Sequence, residues 1–284
     1  MLYRCLSVVI AWLMYAFNVR ESRVTRRNFE LVLPSVSQPE RDLLHRRVLQ
    51  STALQTFEML RTWTHSPSAN LRRIRCVFGE EIFRTAREQQ RGVIVAAPHF
   101  GNWELLNQWL AEQGPIAIVY RPGRSALIDA FLKHVRGIPH VVQVKAEATA
   151  VRQLFKVLKA GGTVGILPDQ QPKLGEGVFA PFFGVQAFTM TLISRLAHRT
   201  EATIIFGWCQ RYGTGFEFDL HFDQAESLLS SADPIKAAAA LNRGIERIVQ
   251  RDMTQYQWTY KRYTLRPPEE KKAYDPYRTQ RHKH

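Results

Sequence analysis

The chain has only three cysteines, Cys5, Cys76 and Cys209, far apart and in no CxxC spacing. Neither a disulfide framework nor a zinc site is indicated, and a reducing, cytosolic setting is favoured. The apolar part of the N-terminus MLYRCLSVVIAWLMYAFNVRESRVTRRNFE covers residues 5–17, short of the ~20 residues that a spanning helix needs. It also lacks a small-residue cleavage site. No G-x-S-x-G elbow, internal repeat or low-complexity linker is present. Acidic residues are few: Asp+Glu 25 against Lys+Arg 39 leaves a net charge of +14 and a pI near 10.0. Such a balance directs the chain toward an acidic partner, whether anionic lipid, acidic protein, phosphorylated substrate or nucleic acid. With no basic helix of recognised spacing, no RNP-like strand and no zinc module, nucleic acid is not the expected partner.

What is present is a globular composition, 284 residues with 45% hydrophobic and 23% charged, ample for a sizeable core. Residues 1–75 read as helical. They hold the apolar segment, followed by Arg20, Arg23, Arg26 and Arg27 as in a helix lying in a headgroup layer, and a helical run over 41–63. A core helix is the alternative reading of the first segment. From Ile82 onward short apolar runs alternate with helical patterns: GVIVAAP, a helix to about 113, IAIVYRP, a helix over 125–136, HVVQVK, a helix over 148–160, then TVGILPDQ. A Gly/Pro-rich loop over 171–188, a helix TMTLISRLAHRT, two strands within ATIIFGWCQRYGTGFEFDLHFD and a helix over 234–253 complete the series. The fold expected is α/β, a central mixed sheet flanked by helices with a helical N-terminal region. The divisions expected are 1–75, an α/β domain over 76–260, and a loosely held basic tail over 261–284.

One stretch, VIVAAPHFGNWELLNQWL, sets His99 and Glu104 where a strand gives way to a helix. Asn102 is placed as N-cap, Glu104 falls in the first turn, and Gly101 gives the turn its freedom. A carboxylate bonded to one ring nitrogen fixes the tautomer and leaves the other able to deprotonate a hydroxyl. The unpaired N–H groups at the helix N-terminus would favour a developing oxyanion. No nucleophile accompanies the pair. Taken by itself, H-x-x-x-x-E equally describes a satisfied turn histidine beside a carboxylate that the helix dipole favours.

APHFGNWE resembles the H-x4-D/E motif of glycerolipid acyltransferases and, in the form HFGNWE, the late acyltransferases of lipid A biosynthesis. VYRP, HVRG, LKAGGTVGILPDQQP, GVFAPFFGVQAFT and YQWTYKRY follow in that family's order, so the likeness runs over about 28–268. The resemblance implies transfer of an acyl chain from an acyl carrier protein thioester to a hydroxyl of a lipid A precursor, at the cytoplasmic face of a Gram-negative inner membrane. It implies no cofactor and no metal. By position His99 matches the general base and Glu104 the carboxylate that orients it, with direct attack and no acyl-enzyme. Arg121 and Arg136 fall where the family carries basic residues, suited to phosphate. Asp169 and Gln170 follow a strand and are expected at the same crevice as positioning and substrate contacts. Phe179, Phe182 and Phe183 suit either an acyl-chain wall or a core. A different lipid acceptor, or an inactive membrane-associated relative, would keep much of this pattern; both His99 and Glu104 being present argues against the latter.

Overall fold

The computed structural model describes residues 2–120, 130–131, 134–135, 137, 140–145, 150–213 and 215–274. Two compact units are drawn from interleaved parts of the chain. One takes Met1–Phe57, Asp169–Thr191 and Asp233–His284, the other Glu58–Pro168 and Leu192–Ala232.

The second unit is built on a seven-stranded sheet. Its strands are β1 (Ile74–Phe78), β2 (Val93–Ala96), β3 (Ile116–Tyr120), β4 (Val141–Lys145), β5 (Thr163–Ile166), β8 (Thr203–Arg211) and β9 (Phe218–Gln224), in the order β1-β9-β8-β2-β5-β3-β4. All neighbours are parallel except β8 and β9, which gives the mixed sheet the sequence implies. β2 and β5 are buried along their whole length because helices cover both faces of a parallel sheet; VIVA and TVGI are therefore near-continuous apolar runs. Against the sheet lie α5 (Glu80–Glu88), α6 (Trp103–Glu112), α7 (Ala150–Lys159) and α8 (Leu192–Thr200). Leu105, Leu106, Trp109 and Leu110 of α6 share a core with Phe83, Val95, Ile118 and Phe222.

One strand departs from expectation here. β1 lies in a region read as helical or featureless, since it is an edge strand whose exposed Arg75 and Cys76 blur its periodicity. The helix expected over 125–136 falls largely outside the described residues.

The first unit carries α1 (Leu2–Ala16), α2 (Arg20–Val32), the start of α3 (Gln38–Thr64), the strands β6 (Gly177–Phe182) and β7 (Val185–Met190), and α9 (Pro234–Arg251). The stretch expected as a loop over 171–188 is instead mostly an antiparallel hairpin, Phe182 pairing with Val185. Its turn residues Phe183 and Gly184 both have positive φ, 49° and 74°, the geometry of a two-residue turn that matches strand twist. Since β7 continues to Met190, the helix expected to begin at Thr189 starts only at Leu192. Phe182 is 1% exposed and meets Tyr256 edge-on, so it belongs to the core.

Residues 261–274, expected to be loosely held, bury Arg262, Tyr263 and Tyr274. Arg262 donates to the Phe188 carbonyl at 2.6 Å and to Thr189 Oγ1 at 2.8 Å. Tyr263 donates to the Phe182 carbonyl at 3.1 Å. Asn28 of α2 donates to the carbonyls of Trp258 and Tyr260 at 2.7 and 2.9 Å and accepts from the Tyr274 hydroxyl at 2.6 Å. These polar groups tie the last described residues to the N-terminal helices in a way that bulk composition does not show.

α1 seats Ser7 and Ala11 in the protein but leaves Val8, Val9, Ile10, Trp12 and Leu13 exposed, and Phe17 beyond it is 74% exposed. That exposure disfavours the core-helix reading. At 15 residues the helix is about 22 Å long, against a hydrocarbon core of ~30 Å. Among the described residues no helix is long and apolar enough to cross a membrane.

His45 of α3 is 1% exposed, with Ser22 Oγ 3.1 Å from its Nε2 and the Tyr15 ring 5.2 Å away. Burial, and next the charge of Arg26, push its pKa down to about 4. The unfolded chain takes up this proton near the ordinary value of ~6.5, whereas the folded one keeps the ring neutral to about pH 4. The contribution is therefore full above pH ~6.5 and is lost as pH falls toward 4. Denaturant unfolding between pH 7 and 4 should show up to ~3 kcal/mol of lost stability from this group, and His45→Gln should flatten that part of the profile. An unchanged slope in the variant would remove His45 as the cause.

Candidate active site

The connections on either side of β2 leave in opposite directions, toward β1 before it and toward β3 after it. In an open α/β sheet ligands bind outside the carboxyl end of a strand so placed. The main chain leaving β2 there is Ala97-Pro98-His99-Phe100-Gly101-Asn102, and α6 begins at Trp103. Ala97 N–H continues the pairing to β5 by donating to the Ile166 carbonyl at 2.9 Å, so the turn starts from a fixed rail.

Gly101 is the pivot. Its φ is +55°, and a Cβ there would run into the carbonyl oxygen of Cys209 on β8, so only glycine fits. Gly101 forms a lone bridge with Cys209, and Asn102 N–H donates to that same Cys209 carbonyl at 2.9 Å. Asn102 is the N-cap: its Oδ1 accepts from Leu105 N–H at 3.0 Å, and its Nδ2 donates to Thr62 Oγ1 at 3.1 Å. With those groups committed, Asn102 serves the turn.

His99 is half-buried. Its ring meets Trp103 edge-on, centroids 4.9 Å apart and planes at 66°, which limits the orientations the imidazole can take. Glu104 lies in the first turn of α6 and is 4% exposed. A carboxylate this buried is held by partners, and the positive end of the α6 dipole favours it at this position. His99, Gly101, Asn102 and Glu104 thus stand on one strand–turn–helix junction in one unit.

Asp169 and Gln170 belong to the other unit. Asp169 is 2% exposed and accepts from the Tyr256 hydroxyl; burial and then the Asp169 charge push the Tyr256 pKa well up, so this tyrosine stays a neutral donor. Gln170 Nε2 donates to Gln257 Oε1 at 3.2 Å. The next residue, Gln171, donates its N–H to Tyr260 Oη at 3.0 Å, and its Oε1 accepts from Leu265 N–H at 2.8 Å. The LPDQQ segment is therefore fastened along the block YQWTYKRYTL. Arg121 and Arg136 lie outside the described residues. Among the described residues no three His, Cys, Asp or Glu side chains group as metal ligands would.

Sequence reasoning missed Trp103, Thr62 and Tyr256. The four-residue spacing of His99 and Trp103 could have suggested the ring contact; nothing local marks Thr62, which lies 40 positions from its partner.

A family model described as bacterial lipid A biosynthesis acyltransferase matches residues 1–264. The chain belongs to that family. It is accordingly an acyltransferase. The family's lipid A biosynthesis lauroyltransferase of Escherichia coli (strain K12) is 28% identical over 252 residues, 88% of this chain and 81% of the relative. The palmitoleoyltransferase of the same strain is 28% identical over 262 residues, 91% and 83% of the two chains. A lipid A biosynthesis acyltransferase of Haemophilus influenzae is 26% identical over 263 residues, again 91% and 83%. The matched span contains the whole junction from β2 to α6 and all but the last residue of the block fastened to LPDQQ.

Proposed function

We propose that this acyltransferase moves a fatty acyl chain from an acyl carrier protein thioester to a hydroxyl of a lipid A precursor, with His99 as general base and Glu104 as its orienting carboxylate. The observation that carries the reading is the junction after β2, where a half-buried histidine and a buried glutamate are set around the Gly101 pivot in a member of this family. The acceptor O–H gives its proton to the imidazole as its oxygen bonds to the thioester carbonyl carbon. The C–S bond then breaks, and the departing thiolate takes the proton back from the imidazolium. Glu104 stabilises that imidazolium, and the N-terminal end of α6 favours the tetrahedral oxyanion.

Direct attack needs no acyl-enzyme. Cys209, the buried thiol of the chain near this junction, is pushed well up in pKa by burial and then by the Glu58 charge, which suits a packing role and not a nucleophile. Arg121 and Arg136 are read as contacts for anionic headgroups. The net charge of +14 suits an acidic carrier protein and an anionic membrane.

α1 is read as lying in the headgroup layer at the cytoplasmic face of the inner membrane, its exposed Trp12 and Leu13, with Phe17 just beyond it, entering the acyl boundary. Deleting residues 1–19 should lower partitioning onto anionic phospholipid vesicles about tenfold or more, measured by co-sedimentation. Unchanged partitioning would exclude α1 as the anchor.

The deciding experiment is an acyl-transfer assay with full-length protein, acyl carrier protein thioesters of several chain lengths and a Kdo-bearing lipid A precursor. Product with one or more donors supports the reading and gives the donor length. No product with any donor from folded protein on added membrane overturns the acceptor assignment in favour of another lipid.

A further inference from the structure

The C-terminal turns of α3 approach the α6 N-terminus from outside the motif. Glu58 and Thr62 stand one turn apart on α3, 2% and 5% exposed. The Thr62 hydroxyl donates to the Glu58 carbonyl at 2.9 Å and accepts from Asn102 Nδ2 at 3.1 Å. The Thr62 carbonyl accepts from Asn70 Nδ2 at 2.9 Å and Gln108 Nε2 at 3.4 Å, and Asn70 also donates to Gln108 Oε1 at 3.1 Å. At the other end the Glu58 carboxylate takes the Arg211 guanidinium through Nε and, at 3.1 Å, through Nη2. Arg211 ends β8 two residues past Cys209, whose carbonyl holds Asn102 N–H and abuts Gly101. The contacts form a closed circuit: Glu58, Thr62, Asn102, Cys209, Arg211 and back to Glu58.

We propose that Thr62 is a positioning residue for acyl transfer, acting through Asn102 to hold the His99–Asn102 turn and the first turn of α6 in register. The inference rests on the reading of His99 as the base. Asn102 is 1% exposed, so both ends of its amide must be bonded inside the protein. Oδ1 has to face Leu105 N–H to cap the helix, which leaves Nδ2 toward Thr62 Oγ1. Without that acceptor the buried NH2 is unsatisfied, and rotating the amide to relieve it withdraws the cap. Either response moves the pivot between His99 and Glu104. Catalytic geometry tolerates such shifts poorly, a displacement near 1 Å costing up to ~100-fold.

The test compares Thr62→Val, which keeps the shape and removes the acceptor, with Thr62→Ser, which restores it, each normalised to folded protein. Thr62→Val should lower kcat by about 10- to 100-fold with KM for the acyl donor within about twofold, and Thr62→Ser should recover kcat to within about twofold of wild type. If Thr62→Val does not accumulate folded, Thr62→Cys, a poor acceptor of similar size, takes its place with the same loss expected. A kcat equal to wild type in the acceptor-less variant, or Thr62→Ser as impaired as Thr62→Val, overturns the proposal. His99→Ala in the same assay separates the two ideas. An inert His99→Ala beside a fully active Thr62→Val removes only the positioning role, whereas a fully active His99→Ala removes the base and the positioning role with it.

Discussion

Replacing His99 by alanine is expected to lower kcat by about 10²- to 10⁴-fold, the range that a positioned general base contributes, with little loss of folded protein. The second half of that expectation follows from the environment. His99 is half-buried in a turn, and its described ring contact is the edge of Trp103, so truncation opens no large core cavity. The turn is held by Gly101 and Asn102 through Cys209, Leu105 and Thr62, none of which needs the imidazole. Thermal melting should therefore shift by only a few degrees while turnover collapses. Melting that collapses together with turnover would mean that His99 holds the turn, and wild-type turnover would end the general-base reading.

Arg211→Met is expected to cost ~3–5 kcal/mol of folding stability, the largest structural effect anticipated at a single position. Glu58 and Arg211 come from positions 153 apart and pair at 2% and 5% side-chain exposure. Removing the cation leaves a carboxylate in a space that excludes water, with Cys209 and Thr62 beside it. The pair as a whole is a different matter, because desolvating two charges offsets most of their attraction. Glu58→Met together with Arg211→Met should accordingly recover most of the loss, to within about 1–2 kcal/mol of wild type. Urea unfolding of the two singles and the double forms the cycle. A stable Arg211→Met would show that Glu58 finds another partner or takes up a proton at little cost.

Much of the sheet is legible in sequence because parallel, doubly covered strands advertise themselves: VIVA and TVGI are buried end to end. The β6–β7 hairpin hides because its turn is Phe-Gly, not one of the usual Asn-Gly or Asp-Gly pairs, and because Pro181 within β6 argues against a strand. β1 hides for the opposite reason, being an edge whose exposed positions carry no pattern. The junction from His99 to Glu104 is legible because all its parts are consecutive, and the glycine and asparagine needed there have few substitutes. Thr62, Glu58 and Arg211 carry no such mark: each is an ordinary residue for its helix or strand, and its meaning depends on a partner 40 or 153 positions away. The clamp of Tyr256, Gln257 and Tyr260 on LPDQQ is equally long-range, visible in sequence only as two separate blocks.

The Asn28 side chain has a further consequence during synthesis. It waits for the carbonyls of Trp258 and Tyr260 and the hydroxyl of Tyr274, the last 246 positions downstream, which at ~5–20 residues per second is a delay of roughly 10–50 s. Throughout that interval α1, already made, offers Trp12, Leu13 and Phe17 to whatever apolar phase is at hand. A nascent chain that meets an apolar phase has a place to put them from the start, and one that does not keeps them in water even after translation ends, because the finished fold leaves them exposed.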